Sequence, residues 1–104
     1  MKSNVRVTPA AQGDIAEAFT WYENAQPDLG QRFLEAIKDA TEVISANPAL
    51  FAPVHKDMRR ILLRVFPYAL FYVVEDDAVI VLGCFHGRRD PRTWKRRAAG
   101  RPEA

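Results

Sequence analysis

The stretch Arg59-Arg60-Ile61-Leu62-Leu63-Arg64-Val65-Phe66-Pro67-Tyr68-Ala69-Leu70-Phe71-Tyr72-Val73-Val74-Glu75-Asp76-Asp77-Ala78-Val79-Ile80-Val81-Leu82-Gly83-Cys84-Phe85-His86 decides the fold. Over residues 59–65, Arg60, Leu62 and Arg64 alternate with Ile61, Leu63 and Val65, the two-residue period of a strand. Residues 69–75 and 78–85 are rich in β-branched and aromatic side chains and meet at Asp76-Asp77, which predicts a hairpin. Together the three segments make a three-stranded antiparallel meander.

Upstream the period changes. Residues 4–7 place two valines in alternation and read as a short strand. Thr8 then supplies a capping hydroxyl and Pro9 the first helical position. Ala11, Ile15, Ala18, Phe19 and Tyr22 form one apolar stripe, and Pro27 ends that helix near residues 24–26. A second helix is predicted over 28–46, with Phe33, Ile37, Ala40 and Ile44 as its stripe and Asn47-Pro48 as its stop. So short a connection makes the pair an antiparallel hairpin. Downstream, Asp90-Pro91 predicts one more helical turn carrying Lys95, Arg96 and Arg97, and 98–104 is expected to be a disordered tail. The expected class is α+β: amino-terminal strand, helical hairpin, meander and short carboxy-terminal turn, in a single domain over 1–97.

The chain of 104 residues, 48% of them hydrophobic, is sized to bury roughly 60–70% of its unfolded surface. It contains no apolar run of membrane-spanning length, and its amino terminus does not read as a signal peptide. A soluble, cytoplasmic protein with no membrane partner is expected. Its one cysteine, Cys84, lies in an apolar run and reads as a buried, reduced thiol. Without CxxC, HExxH or a Gly-rich phosphate loop, no metal and no cofactor is expected.

Charge is unevenly placed. Residues 9–50 carry seven acids and two bases, whereas residues 51–104 carry eleven bases and six acids. The carboxy-terminal half therefore presents arginines, with one histidine among them, to an acidic partner. The meander strands are also apolar on both faces, and two helices can cover only one. The second face is covered either by the chain's own tail through Trp94 or by a docked partner segment.

Candidate chemistry concentrates in His86-Gly87-Arg88-Arg89-Asp90-Pro91 with Trp94. Arg59, Arg60 and Arg64 join from the first strand of the meander, and Tyr68 and Tyr72 from the second. Arginine forks recognise phosphates and carboxylates, aromatic rings stack on bases, and a histidine there is a candidate general base. Each has a plainer reading: His86 bonded to backbone, an arginine paired with Asp90, Trp94 as a core anchor. Asp14 and Glu17 share a helical face but read as solvated surface. Serine occurs only at Ser3 and Ser45, so no Ser/His/Asp set can be assembled.

Several stretches, in order, resemble the RelE/ParE superfamily of bacterial type II toxins. They are Val7-Thr8-Pro9-Ala10-Ala11 with Asp14-Ile15, Trp21-Tyr22-Glu23, Gly30-Gln31-Arg32-Phe33 and Asn47-Pro48. Arg59-Arg60 with Arg64, Phe66-Pro67-Tyr68, Tyr72, and His86-Gly87-Arg88-Arg89-Asp90-Pro91 with Trp94 complete the set. The resemblance spans residues 4–97 and implies two activities. RelE-like members are ribosome-dependent mRNA endoribonucleases, and the residues implied here are Arg59, Arg60, Arg64, His86 and Arg88. ParE-like members inhibit DNA gyrase without hydrolysis. This chain lacks a tyrosine after its last strand and has only Lys56 near the meander's first strand, so the ParE-like branch is the closer one. The resemblance also implies an acidic cognate antitoxin, met by Arg60, Arg64, Tyr68, Tyr72, His86, Arg88, Arg89 and Trp94. A homo-oligomer or a toxin–antitoxin hetero-oligomer is the corresponding assembly. A nucleic-acid-binding module and an inactive solitary toxin are the alternative readings.

Overall fold

A computed structural model describes residues 2–100. Its elements run β1 (Asn4–Val7), α1 (Pro9–Ala25), α2 (Leu29–Ala46), β2 (Pro53–His55), β3 (Met58–Leu62), β4 (Tyr68–Glu75), β5 (Ala78–His86) and α3 (Pro91–Ala99). The sheet has five strands in the order β1-β5-β4-β3-β2. The expected meander is β3-β4-β5, antiparallel throughout. β1 returns to the far side of β5 and pairs with it in parallel, which makes the sheet mixed.

The helix starts follow their local chemistry. The Thr8 side chain accepts from the Ala11 N–H at 3.1 Å with Pro9 behind it, as the sequence predicted. At the hairpin turn Glu23, near the end of α1, caps α2. Its carboxylate accepts from the N–H groups of Asp28 and Gly30 at 3.1 and 3.0 Å. A carboxylate there also complements the positive end of the α2 dipole. A Cβ on Gly30 would lie 2.7 Å from the Phe19 ring, so only glycine lets the two helices close this tightly.

The two faces of the sheet carry separate cores. Tyr22, Phe33, Ile44, Leu70, Tyr72, Val79 and Val81 pack between the sheet and the helical hairpin. Met58, Ala69, Phe71, Val73, Leu82 and Phe85 lie on the other face, with Trp94 and Ala98 of α3 against them. Trp94 stacks on Phe71 with ring centroids 5.1 Å apart and 21° between planes. Of the two coverings left open by the sequence, the chain's own tail is the one found. That tail is a nine-residue helix, longer than the single turn expected, and it takes Ala98 and Ala99 out of the expected tail. Residues 101–104 lie outside the described part of the chain.

Three further features depart from the sequence reading. β2 is additional. β3 stops at Leu62, because Val65 turns left-handed (φ 74°) and Phe66 swings into the aromatic cluster of Tyr22 and Phe33. β5 is bulged: Phe71 pairs with Gly83 and Tyr72 with Val81, leaving Leu82 without a partner across the ladder. No helix among the described residues is long and apolar enough to cross a membrane.

The bulge sits where β1 ends. Val7 pairs with Val81, the Thr8 N–H closes on the Val81 carbonyl, and the chain turns away into α1. Beyond that point β5 has a bare edge, and Asp14 and Arg97 occupy it. The Arg97 guanidinium donates to the Leu82 carbonyl at 2.8 Å and to both Asp14 oxygens at 2.7 and 3.1 Å, while Asp14 accepts from the Cys84 N–H at 3.1 Å. A Cβ on Gly83 would crowd the Phe85 ring at 2.6 Å and the guanidinium at 3.2 Å. The expectation that Asp14 is solvated is thus corrected: its side chain is only 18% exposed and Arg97's 26%. Asp14→Ala strands a largely buried guanidinium and the Cys84 N–H together. An expected loss of about 2–4 kcal/mol follows, read by urea unfolding. Arg97→Ala should cost a similar amount, and the double variant clearly less than the sum of the two.

Candidate functional site

β4 and β5 deliver Tyr68 and His86 to one place, because the two residues pair across the ladder and lie on the face toward α1. Their rings meet edge-on with centroids 5.2 Å apart. Glu17 and Trp21 of α1 form the opposite wall, and Arg89 of the β5–α3 loop closes one end. The result is a cleft of about 460 Å³. Trp21 is 66% exposed yet held edge-to-face against Tyr22 at 5.1 Å. It thus offers a fixed aromatic wall to whatever enters.

The Nδ1 of His86 accepts from the Arg88 N–H at 3.0 Å. In the neutral ring this assigns the proton to Nε2, so the imidazole presents a donor at its other nitrogen. The plainer sequence reading, His86 bonded to backbone, therefore holds alongside its place in the cleft. Burial pushes the Tyr68 phenol up, with the Cys84 thiol and Glu17 adding to the rise and Arg89 opposing it. The cleft sets donors at Arg89, the imidazole and the phenol opposite the Glu17 carboxylate, and offers a planar group the face of Trp21.

The remaining candidates do not join this cleft. Arg59 lies on the hairpin side of β3, where its guanidinium donates to the Phe51 carbonyl. It pairs with Tyr72, four residues along β4 from Tyr68, a separation of about 13 Å at a strand's rise. Arg60, the next residue, points to the opposite face and is exposed. Arg64 lies beyond the end of β3 and lines a groove whose other residues include Glu35 and Asp39 of α2. The five residues expected for RNA cleavage are therefore spread over both faces and two ends of the sheet.

Two expected partner-binding residues have structural roles. Tyr72 is fully buried and its hydroxyl donates to the Pro48 carbonyl at 2.9 Å, so its ring offers a partner no surface. Burial pushes its phenol up, and Arg59 opposes the shift. Trp94 is a half-buried anchor between Phe71 and the Lys95 ammonium, which lies 5.7 Å from its ring centroid. Asp90 pairs with Arg92 at 2.7 Å, not with Arg88 or Arg89. Hydrogen bonds from the Arg92 side chain and backbone hold the Asp90 carboxyl below its ordinary range. The Arg89 guanidinium lies 5.7 Å from the Phe85 ring centroid, at the margin of α3.

Sequence reasoning missed Glu17 and Trp21 as the second wall. The i, i+4 spacing of Glu17 and Trp21 puts them on one helical face. Which strand end that face meets is set by the parallel return of β1. Among the described residues, no group of three or more His, Cys, Asp or Glu side chains converges as a metal site.

A family model described as the ParE toxin of the type II toxin–antitoxin system, parDE, matches residues 5–91. The chain is 35% identical to Toxin ParE2 of Mycobacterium tuberculosis (strain CDC 1551 / Oshkosh) over 102 residues, covering 97% of both. Its fold matches a chain of the chromosomal ParDE system from P. aeruginosa, with a TM-score of 0.72 at 13% identity. That match covers 82% of this chain and 96% of the other. A chain of the RelBE2 toxin–antitoxin complex from M. tuberculosis matches with a TM-score of 0.59 at 20% identity, covering 83% and 99%. The chain belongs to the ParE family of type II toxins.

At the floor of the cleft, burial first and Asp14 second push the Cys84 thiol up to about 12. Native protein at pH 8 should therefore react with a disulfide reagent only as fast as it unfolds. The folded state holds this proton more tightly than the unfolded state, whose thiol titrates near 9. Stability is untouched by the thiol below about pH 9 and falls between there and about 12. Urea unfolding from pH 8 to 11 should show that decline, and Cys84→Val should reduce it.

Proposed function

We propose that this toxin acts by binding DNA gyrase rather than by cutting mRNA, and that a cognate antitoxin with an acidic segment neutralises it. The observation that carries the first part is the scatter of Arg59, Arg60, Arg64 and His86. Ribose 2′-hydroxyl attack needs a base and cationic phosphate contacts within a few ångströms of one atom, and these four cannot supply that. The reading draws its direction from the family and from the relative named Toxin ParE2. Purified toxin at equimolar ratio should inhibit gyrase supercoiling or accumulate gyrase–DNA cleavage complexes. Untouched supercoiling would count against the proposal.

The Tyr68–His86–Arg89 cleft favours a second reading, a weak ribosome-dependent endoribonuclease. It pairs an imidazole with a cation beside an aromatic wall. On translating ribosomes we expect no codon-dependent cleavage above background. Strong cleavage abolished by His86→Ala would promote this second reading over the first.

The neutralising contact is assigned to the basic margin of the β5–α3 loop and α3, where Arg88, Arg89, Lys95 and Arg96 are exposed, with Arg60 nearby on the same face. The sheet face beneath is already occupied by Trp94, so an antitoxin meets the rim and not an open face. Exposed charges chiefly set association rate, each worth under about 1 kcal/mol. Charge reversal at Arg60 or Arg89 should slow antitoxin association and flatten its salt dependence, with dissociation little changed. Stopped-flow binding at two salt concentrations reads both.

A further inference from the structure

Val65 is the least expected residue in the fold. Its φ of 74° lies in the left-handed region, which β-branched side chains rarely adopt, and it is 97% exposed. The loop around it is firmly held. Phe66 packs against Tyr22 and Phe33 at 4.9 and 5.4 Å, the Leu63 N–H donates to the Tyr68 carbonyl at 2.9 Å, and the Pro67 carbonyl accepts from the Gly87 N–H at 2.8 Å. A rigid loop thus holds an apolar side chain in a strained conformation, pointing at solvent. Strain of this kind clusters at sites that bind something.

Beside Val65 the loop and the first turns of α2 enclose a groove of about 490 Å³. Leu29, Ala36 and Phe66 supply its apolar lining, and its rim carries Arg32 and Arg64 together with Glu35 and Asp39. The rim charges cancel. A strongly acidic segment would meet Glu35 and Asp39, and a strongly basic one would meet Arg32 and Arg64. A knob beside a groove, with both signs at the lip, is complementary to itself. An isologous two-fold contact requires that of one patch.

We propose that this patch is a self-association surface. In the dimer, Val65 of one copy enters the groove of the other, and Arg64 meets Glu35 or Asp39 across the axis. The patch is smaller than the roughly 20–30 residues per side of a stable complex, so the dimer is weak and concentration-dependent. Its groove shares no lining residue with the cleft at Tyr68 and His86. The dimer contact is therefore separate from that cleft.

Sedimentation equilibrium of the full chain, from low micromolar to submillimolar concentration, tests it. The average mass of the parent should climb toward twice the monomer. Val65→Asp and Arg64→Glu should each weaken the dimer at least tenfold. Arg64→Glu combined with Glu35→Arg and Asp39→Arg should recover it. Val65→Gly separates a structural role from a binding one, because it removes strain and knob together. Its melting temperature should rise while association is lost. A parent that stays monomeric throughout overturns the proposal. So does a Val65→Gly variant that melts lower than the parent or associates as the parent does. Circular dichroism confirms that each variant is folded. A monomeric parent whose antitoxin binding falls on Val65→Asp would assign the patch to the antitoxin and sink self-association.

Discussion

Asp14 and Arg97 meet on the bare edge of β5, and most of what distinguishes this fold from a plain meander depends on that meeting. Because β1 stops at Val7, opposite Val81, β5 has an unpaired edge from the Leu82 bulge onward. Unpaired strand edges invite association with other chains. Here one carboxylate and one guanidinium, 83 residues apart in sequence, satisfy the Leu82 carbonyl and the Cys84 N–H and bind each other. The pair joins α1 to α3 around the sheet margin. It contributes less stability than the two apolar cores, where each fully buried aliphatic side chain is worth about 1.5–3 kcal/mol. Its role is specification. It fixes where α3 lies, and α3 in turn decides that the second sheet face is closed.

That dependence explains what was legible in the sequence. The strands announced themselves through β-branched and aromatic runs, and Thr8-Pro9 and Asp90-Pro91 marked helix starts by local chemistry that the fold keeps. The length of α3 was hidden, because Trp94 and Ala98 are its apolar residues packed on the second core and most of the rest are cationic. Arg97 looked like one more charge in a basic last turn. No local pattern marks it as the one turned inward, since its partner lies on the first helix. β2 was hidden for a different reason: three residues beginning with proline form an edge too short for periodicity to register.

The candidate site was less legible. The pairing of Tyr68 with His86 was not within reach of the sequence: the register set at Glu75 and Ala78 would pair Tyr68 with Phe85, and only the extra residue at the Leu82 bulge shifts it to His86. Nor was the fate of Tyr72. With β4 apolar on both sides, alternation says that Tyr68 and Tyr72 share a face, but not which face lies under the hairpin or how deeply. Burial then separates them. Tyr68 stands at the strand end beside solvent, while Tyr72 sits mid-strand with its hydroxyl on the Pro48 carbonyl. Arg59 and Arg60 were grouped because they are adjacent. Adjacent residues in a strand necessarily point to opposite faces.

The charge asymmetry takes on a mechanical meaning in this light. The acids of the first half lie on the hairpin, and four exposed bases of the second half, Arg88, Arg89, Lys95 and Arg96, lie along the β5–α3 loop and α3. Helix α3 has nine residues and none of them is fully buried. A helix of that length is marginal in water, so tertiary contacts must hold it. Foremost among those contacts are the Trp94 stack on Phe71 and the Arg97 clip to Asp14. Both are few and near the surface, whereas the β4–β5 ladder below is fully buried along most of its length. Local opening therefore begins at α3 and reaches the sheet last. The element carrying the densest positive charge is also the one held least firmly. A partner that binds those cations acts directly on the clip that closes the β5 edge.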